Sequence, residues 1–390
     1  MLGFLLARAG VDVAVLEKHA DFLRDFRGDT IHPSTLEVMH ELGLLDEFLR
    51  RPHQELSRMA GKVGDELLIF ADFSHLPTRC KFIAFMPQWE FLNFVVEQAR
   101  GYKGFRLCME AEVTELVQQG GTVTGVIAQT PHGKLRVDAQ LVVGADGRSS
   151  TVRAQAGLEV IDLGAPMDAL WMRLSRRTAD PGQTFGRIAS GQILVLIDRG
   201  DYWQAAYVIP KGGFDEIRRK GLPSLRQALA TLAPFLQDRV GELRDWPDVK
   251  LLTVRVDHLR RWYRPGLLCI GDAAHAMSPI GGVGINLAIQ DAVAAANILA
   301  VPLRDGTMDE ATLAAVQRRR ELPTRWTQRA QVFLQDRVIR RVLTETHSVG
   351  PLPLPLRLLR RWPVLQRIPA YLVGVGVRPE HVRSPVALGA

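Results

Sequence analysis

The sequence predicts an α/β fold: a parallel unit interrupted by an antiparallel sheet and followed by a helical tail. Three observations carry this. The chain opens "MLGFLLARAGVDVAVLEKH", a helix passing through Gly10 into a β-branched strand that ends on Glu17, which is the second half of a βαβ unit. Two later stretches, "LVVGADGRSSTVR" and "LCIGDAAHAMSPIGGVGINLA", each lead an apolar strand into a glycine-rich corner bearing an aspartate, and then into a helix. Between them, from about 165 to 265, strand-like runs separated by Gly, Asp and Arg read as an antiparallel sheet.

The elements follow in order. Residues 2–9 form a helix that Gly10 stops, because glycine accepts the left-handed backbone that ends helices. "VDVAVLE" alternates and is a strand. A loop carrying "RDFRGD" leads to a helix from about Pro33 through "ELGLLDEFL", with Ser34 and Thr35 near its start. Residues 56–86 show short strand-like runs ("ELLIF", "KFIAFM"). "PQWEFLNFVVEQARG" is a helix with Pro87 near its first turn. "AEVTELVQQGGTVTGVIAQTPHGKLRVDAQLVVGADG" gives a strand, a turn at Gly120–Gly121, two more strands, and a run ending on the glycine corner. In the middle region "ALWMRLSRR", "GQILVLIDR" and "DYWQAAYVIP" are strands, the last with Trp203, Ala205, Tyr207 and Ile209 on one side. Helices occupy about 214–220 and 223–237, and "KLLTVRVDHL" is one further strand. A long helix with an alanine-rich face follows Gly284, and the chain beyond 307 is mostly helical. The expected division is 1–164, 165–265, 266–330 and a tail, rich in Pro, Leu and Arg, over 331–390.

Composition narrows the function. The 390 residues carry a net charge of +7, but the arginines come as scattered doublets without the interleaved aromatics of a nucleic-acid groove. A basic balance also suits a protein that holds anionic dinucleotides. Cys80, Cys108 and Cys269 stand far apart, which argues against both disulfides and a metal site. "MLGFLLA" lacks the basic start of a secretory leader, and Arg8 interrupts it. No stretch is expected to reach the roughly 20 apolar residues of a membrane span, so a cytoplasmic protein without integral membrane association is expected.

Four stretches carry chemistry together. A carboxylate at the end of the second strand of a dinucleotide-binding βαβ unit accepts ribose hydroxyls, and Glu17 stands there. The glycine loop of such a unit lies roughly 20 residues upstream, ahead of Met1, so the natural protein is expected to be longer. "GADGRSSTVR" delivers Asp146 into a glycine-flanked turn, with Arg148 and Arg153 beside it and Ser149, Ser150 and Thr151 able to cap the next helix. "IGDAAHAMSPIGGVGINLA" presents Asp272 at the carboxyl edge of a strand. Gly281, Gly282 and Gly284 then open a helix whose free amides and positive dipole end suit a flat anionic ring. Gln88 sits at a helix start. His275 reads as a structural histidine beside the loop.

Taken together, these stretches resemble the flavin-dependent aromatic hydroxylases, the class A flavoprotein monooxygenases typified by para-hydroxybenzoate hydroxylase. The likeness covers about residues 1–330 and lacks the N-terminal GxGxxG strand-loop. It implies a Rossmann-like FAD-binding domain and an inserted antiparallel substrate domain. It further implies that Glu17 holds the adenosine ribose of FAD, Arg27 the pyrophosphate, Gln88 the ribitol chain and Asp272 a ribitol hydroxyl. Asp146 would serve FAD and the passage of NADPH or NADH. Gly282, Val283, Gly284, Ile285 and Asn286 would lie along the flavin ring, with Pro279, Gly281 and Gly282 on the ring-face loop. The implied reaction is hydroxylation of an aromatic or other electron-rich small molecule with O2, through a flavin hydroperoxide. No side chain is named as catalytic and no metal is expected. The enzyme would be a monomer or homodimer. Trp203, Tyr207 and Met172 are candidates for the substrate side, though each also reads as core. Two other readings are a flavin-dependent halogenase, whose WxWxIP stretch is only partly matched by "WQAAYVIP", and a non-catalytic flavin-binding protein.

Overall fold

The computed structural model describes residues 1–23, 30–64, 66–182, 184–189, 191–344 and 354–387. The first helix, Leu2–Arg8, buries Phe4, Leu5, Leu6 and Ala7, and Gly10 just beyond it takes φ 84°. Strand Val13–Leu16 pairs in parallel with Phe105–Cys108, and strand Val142–Gly144 pairs in parallel with Leu267–Cys269. Two apolar clusters flank these strands, and Met1, Leu2 and Leu303 pack against both, so the parallel unit has one continuous core. The predicted helix from Pro33 is in fact two, Pro33–Glu41 and Leu45–Phe48. Gly43 turns between them at φ 73°, a backbone state that halts a helix.

The large sheet has seven strands, in the order Lys250–Leu252, Met167–Ser175, Tyr202–Pro210, Gln192–Asp198, Phe185–Ala189, Arg58–Val63, Glu66–Asp72. The expectation of a purely antiparallel sheet is corrected at one ladder, because Gly186–Ile188 pairs in parallel with Gly61–Val63. Arg58–Val63 enters from the first part of the chain, so no hairpin forces it antiparallel. "KLLTVRVDHL" is also corrected. Lys250–Leu252 joins the large sheet, whereas Asp257–Leu259 joins Val160–Asp162 and His275–Ala276. The chain leaves the first ladder where the buried Asp168 captures the Val254 N–H at 2.9 Å and the Lys211 ammonium at 2.9 Å. The second helix of this region stops at Leu232 instead of running to 237, because Pro234 pushes Ala233 out of the helical region.

Alternation decides which face of the sheet is which. Leu170, Met172, Leu174, Leu194, Leu196, Trp203, Ala205 and Ile209, with Tyr207 partly buried among them, pack under the helices Phe214–Lys220 and Leu222–Leu232. Trp171, Val195 and Ile197 occupy the other face with Phe73, Phe85 and Ala370. Helix Gly284–Arg304 runs through the middle of the molecule. It is long and apolar enough to cross a membrane, contrary to the expectation that no stretch reaches that length, but 67% of its most apolar window is buried inside the protein. Two tail helices, Leu354–Arg361 and Arg367–Gly374, precede a terminal segment that returns to the first helix, where Ala387 N–H donates to Arg8 O.

Candidate functional site

Three strands from two parallel ladders are followed by carboxylates: Val13–Leu16, paired with Phe105–Cys108, by Glu17, and the mutually paired Val142–Gly144 and Leu267–Cys269 by Asp146 two residues on and Asp272 three residues on. The carboxyl edge of such a sheet is where α/β proteins bind ligands. The last two strands are in register, Gly144 opposite Cys269, and Ile270 N–H donates to Gly144 O at 3.0 Å, so their turns lie side by side. Arg153, buried, locks them together. Its guanidinium donates to Arg148 O in the first turn and to Ala273 O (3.4 Å) in the second, and pairs with Asp257 at 3.5 Å. Arg148 reaches across to Asp272, Nη2 to Oδ2, at 3.7 Å. Sequence reasoning credited both arginines with charge only; their positioning role needed the register.

Asp146 accepts from Ser150 Oγ and from Val152 N–H (3.1 Å), so it also caps the helix Thr151–Gln155. Cys269 lies beneath it. Burial, then the Asp146 charge, push its thiol up to about 12, so it is inert. Glu17 donates its N–H to Cys108 O, while its carboxylate accepts from His19 N–H at 3.0 Å. Gln88 opens the helix Gln88–Ala99, half-buried. It lies three residues past Phe85, which pairs with Thr30. Arg27 lies outside the described residues.

After Asp272, the loop from His275 reaches the glycine turn. Gly281 has φ 76° and Gly282 φ 64°, and helix Gly284–Arg304 follows. A Cβ on Gly282 would stand 2.3 Å from Thr30 Oγ1, so this glycine is required by the protein's own packing. A Cβ on Gly284 would meet only Met277 Cβ at 3.8 Å and Asp272 Oδ1 at 4.0 Å, which leaves the helix N-terminus open beside the carboxylate. Asn286 points inward. Its Oδ1 accepts from His32 N–H (2.9 Å) and Thr35 Oγ1 (2.8 Å), and its Nδ2 donates to Thr30 O (3.0 Å) and Gly282 O (3.2 Å). All of these Asn286 side-chain bonds are made within the protein. His275 is buried, with Nε2 2.6 Å from Asp291 Oδ2.

Further residues of the site escaped sequence reasoning. Helix Glu310–Leu334 and the π-turn Gln335–Ile339 present buried Arg320, Thr324, Gln328, Gln331 and Gln335 along one side. Arg320 pairs with Asp291 at 2.9 Å, and the glutamines bond to the loop 276–280. The spacing of four, four, three and four residues was the available signal: a polar stripe at helical period. Trp203, Tyr207 and Met172 lie in the helix-covered core, the reading favoured for each of them over a place facing the substrate. The opposite face carries Trp171, Val195 and Ile197, packed with Phe73, Phe85 and Ala370.

The donor set suits a flat, hydroxylated, anionic ligand. Amides at an open helix N-terminus can donate to its anionic edge, and the carboxylates of Asp272, Asp146 and Glu17 at strand ends can accept from its hydroxyls. FAD has these features, and the residues present fit its ring and ribitol portions.

Comparison with known proteins agrees. A family model described as "FAD binding domain" matches residues 1–330. The 6-methylpretetramide 4-monooxygenase of Streptomyces rimosus is 34% identical over 377 residues, covering 94% of this chain and 88% of that protein. An uncharacterized aromatic compound monooxygenase of Bacillus subtilis is 25% identical over 295 residues, and there the match spans 75% of this chain but 57% of the relative. Among solved structures, a probable FAD-dependent monooxygenase from Pseudomonas aeruginosa superposes with a TM-score of 0.72 at 23% identity, over 88% of this chain and 95% of that one. A p-nitrophenol 4-monooxygenase from Pseudomonas putida gives 0.72 at 20%, over 96% and 95%. Both structural matches speak to the fold.

Proposed function

The chain belongs to the family of flavoprotein monooxygenases with this FAD-binding domain, and from that premise we propose that it hydroxylates a small aromatic substrate using FAD, NADPH or NADH, and O2. The observation that carries the proposal is the pairing of Asp272, held by Arg148, with the side-chain-free helix N-terminus at Gly284. When bound and reduced, FAD supplies oxygen activation, one oxygen atom going to the electron-rich aromatic carbon and the other leaving as water.

The protein's own residues then bind, orient and shield. Glu17 accepts hydrogen bonds from the adenosine ribose, and Gln88 and Asp272 hold the ribitol chain. The amides of Val283, Gly284 and Ile285 would donate to an anionic ring edge, as donors already in place that need no rearrangement. Pro279, Gly281 and Gly282 form the ring-face loop. The aromatic substrate would sit over that loop, on the side of the large sheet away from the helices Phe214–Lys220 and Leu222–Leu232, where the apolar packing around Trp171 and Val195 would limit water.

The test is direct. The protein is purified, reconstituted with FAD, and its NAD(P)H consumption is followed with and without 6-methylpretetramide, para-nitrophenol and simpler phenols. Yellow protein, substrate-stimulated oxidation and a product carrying one atom from labelled O2 are expected. Yellow protein that never consumes NAD(P)H would leave a flavin-binding role, and a product that forms only with halide would replace hydroxylation by halogenation.

A further inference from the structure

The glutamine side chains of the Glu310 helix hold the ring-face loop in a regular way. Gln328 Nε2 donates to Ala276 O at 3.0 Å and to Asp257 O at 2.7 Å. Gln331 Nε2 donates to Ser278 O and to Ile280 O, both at 3.0 Å, while its Oε1 accepts from Ser278 N–H at 3.1 Å. Gln335 Nε2 donates to Ser278 Oγ at 2.6 Å. The alternate carbonyls 276, 278 and 280 are thus all captured by one helix. Gln328, Gln331 and Gln335 are each at most 4% exposed.

A trans peptide holds its C=O and N–H antiparallel. Drawing the Ile280 carbonyl toward Gln331 therefore turns the Gly281 N–H away from that helix. The Ala276 carbonyl on Gln328 does the same for Met277 N–H. Pro279 has no N–H to place. Gly281, at φ 76° and ψ −2°, then carries the chain into the glycine turn before Gly284.

We propose that Gln331 is a positioning residue for the flavin reaction: by bonding both Ser278 O and Ile280 O, it fixes which peptide edge the ring-face loop presents. It touches neither flavin nor substrate and acts through the loop. Gln335 supports it from the π-turn, a local widening of a helix that recurs at functional sites. The proposal rests on the flavin-site reading above.

The test compares FAD-loaded wild type with Gln331→Met, Gln331→Glu and Gln317→Met. Gln331→Met removes all three bonds at nearly constant volume. Gln331→Glu keeps the acceptor for Ser278 N–H but loses both donors. Gln317→Met is the control, because Gln317 lies on the same helix and bonds to Trp262 N–H and Arg260 O, away from the loop. Both Gln331 variants are expected to stay yellow, with altered visible circular dichroism of the flavin. The fraction of NAD(P)H oxidation that yields product is expected to fall about tenfold or more, since each variant loses at least two buried hydrogen bonds. Gln317→Met is expected to lower the melting temperature and leave both readouts as in wild type. A Gln331→Met protein with wild-type flavin spectrum and coupling overturns the proposal, as does a Gln317→Met protein with the same flavin changes. If Gln331→Met does not fold, Gln331→Glu decides by amide exchange over 276–286 without FAD: faster exchange there supports the role, and unchanged exchange overturns it. Wild type that stays colourless with FAD sinks the flavin reading, and the exchange measurement still judges Gln331.

Discussion

His32 shows how one buried side chain reports on the site. It is fully buried next to the Asn286 clamp, with Nδ1 2.8 Å from Val373 O, so Nδ1 carries the hydrogen and donates it. Burial, against the smaller opposing effect of the Val373 carbonyl, lowers its pKa from 6.5 to about 4. The folded imidazole therefore stays neutral down to about pH 4, while the unfolded one protonates near 6.5. In that window the unfolded chain binds more protons. Stability is full above pH 6.5 and falls as pH drops toward 4. Between about pH 7.5 and about pH 5 the loss from this group is roughly 2 kcal/mol. Urea midpoints should show that loss in wild type and much less of it in His32→Gln. Equal pH dependence in the two would remove His32 as the cause.

At the scale of elements, the turn 279–284 is set by neighbours distant in sequence. Thr30 Oγ1 donates to Gly282 O at 2.9 Å and occupies the space that a Gly282 side chain would need. Gly282→Ala is expected to cost on the order of 2–3 kcal/mol, from the left-handed φ and from the clash. Adding Thr30→Ala should recover the clash share alone, and thermal denaturation of the single and double variants separates the two. This turn also marks what the sequence could tell. Strands running into "GADG" and "IGDA" were legible because an apolar run, an aspartate and glycines leave few alternatives in an α/β chain. The two-residue alternation of "WQAAYVIP" was legible too, but which side faced the site was not, since that depends on where the helices at 214–232 pack. The break at Gly43 and the split of 250–259 were missed because a local pattern reads through a bend that tertiary partners impose, here Asp168 on Val254 N–H. The glutamine stripe was written in the sequence at helical spacing, yet polar residues on a helix read as solvent-facing until something is found to cover them.

At the scale of the whole molecule, the terminal segment closes the structure through a buried charge cluster. Asp291, fully buried, accepts from Gly271 N–H (3.0 Å), from His275 Nε2 and from Arg320 Nε (2.9 Å). Arg320 Nη1 also donates to Arg378 O and to Glu380 Oε1, both at 3.1 Å, and Arg319 adds a bidentate pair to Glu380. Burial alone would raise the Asp291 pKa. His275 and Arg320 outweigh it and hold the carboxyl below its usual range. Its contribution to stability is thus present above the unfolded carboxylate pKa and is lost as pH falls through the lower folded value. Asp291→Asn leaves Arg320 without its full partner, and a loss of about 3–5 kcal/mol is expected. Removing residues 377–390 makes a stronger demand. It takes away Glu380, the Ala387–Arg8 backbone bond and the Arg8–Ser384 contact together. The Asp272 turn hangs from the same cluster through Gly271 N–H, so loosening should appear at two places far from the cut: in helix Leu2–Arg8 and in the turn at 271–275. Amide exchange of the truncated protein should rise in both segments while the large sheet at 192–210 stays protected. Protection lost everywhere at once would mean that the segment holds global stability alone, and protection unchanged at 271–275 would break the link drawn here between the chain terminus and the cofactor turn.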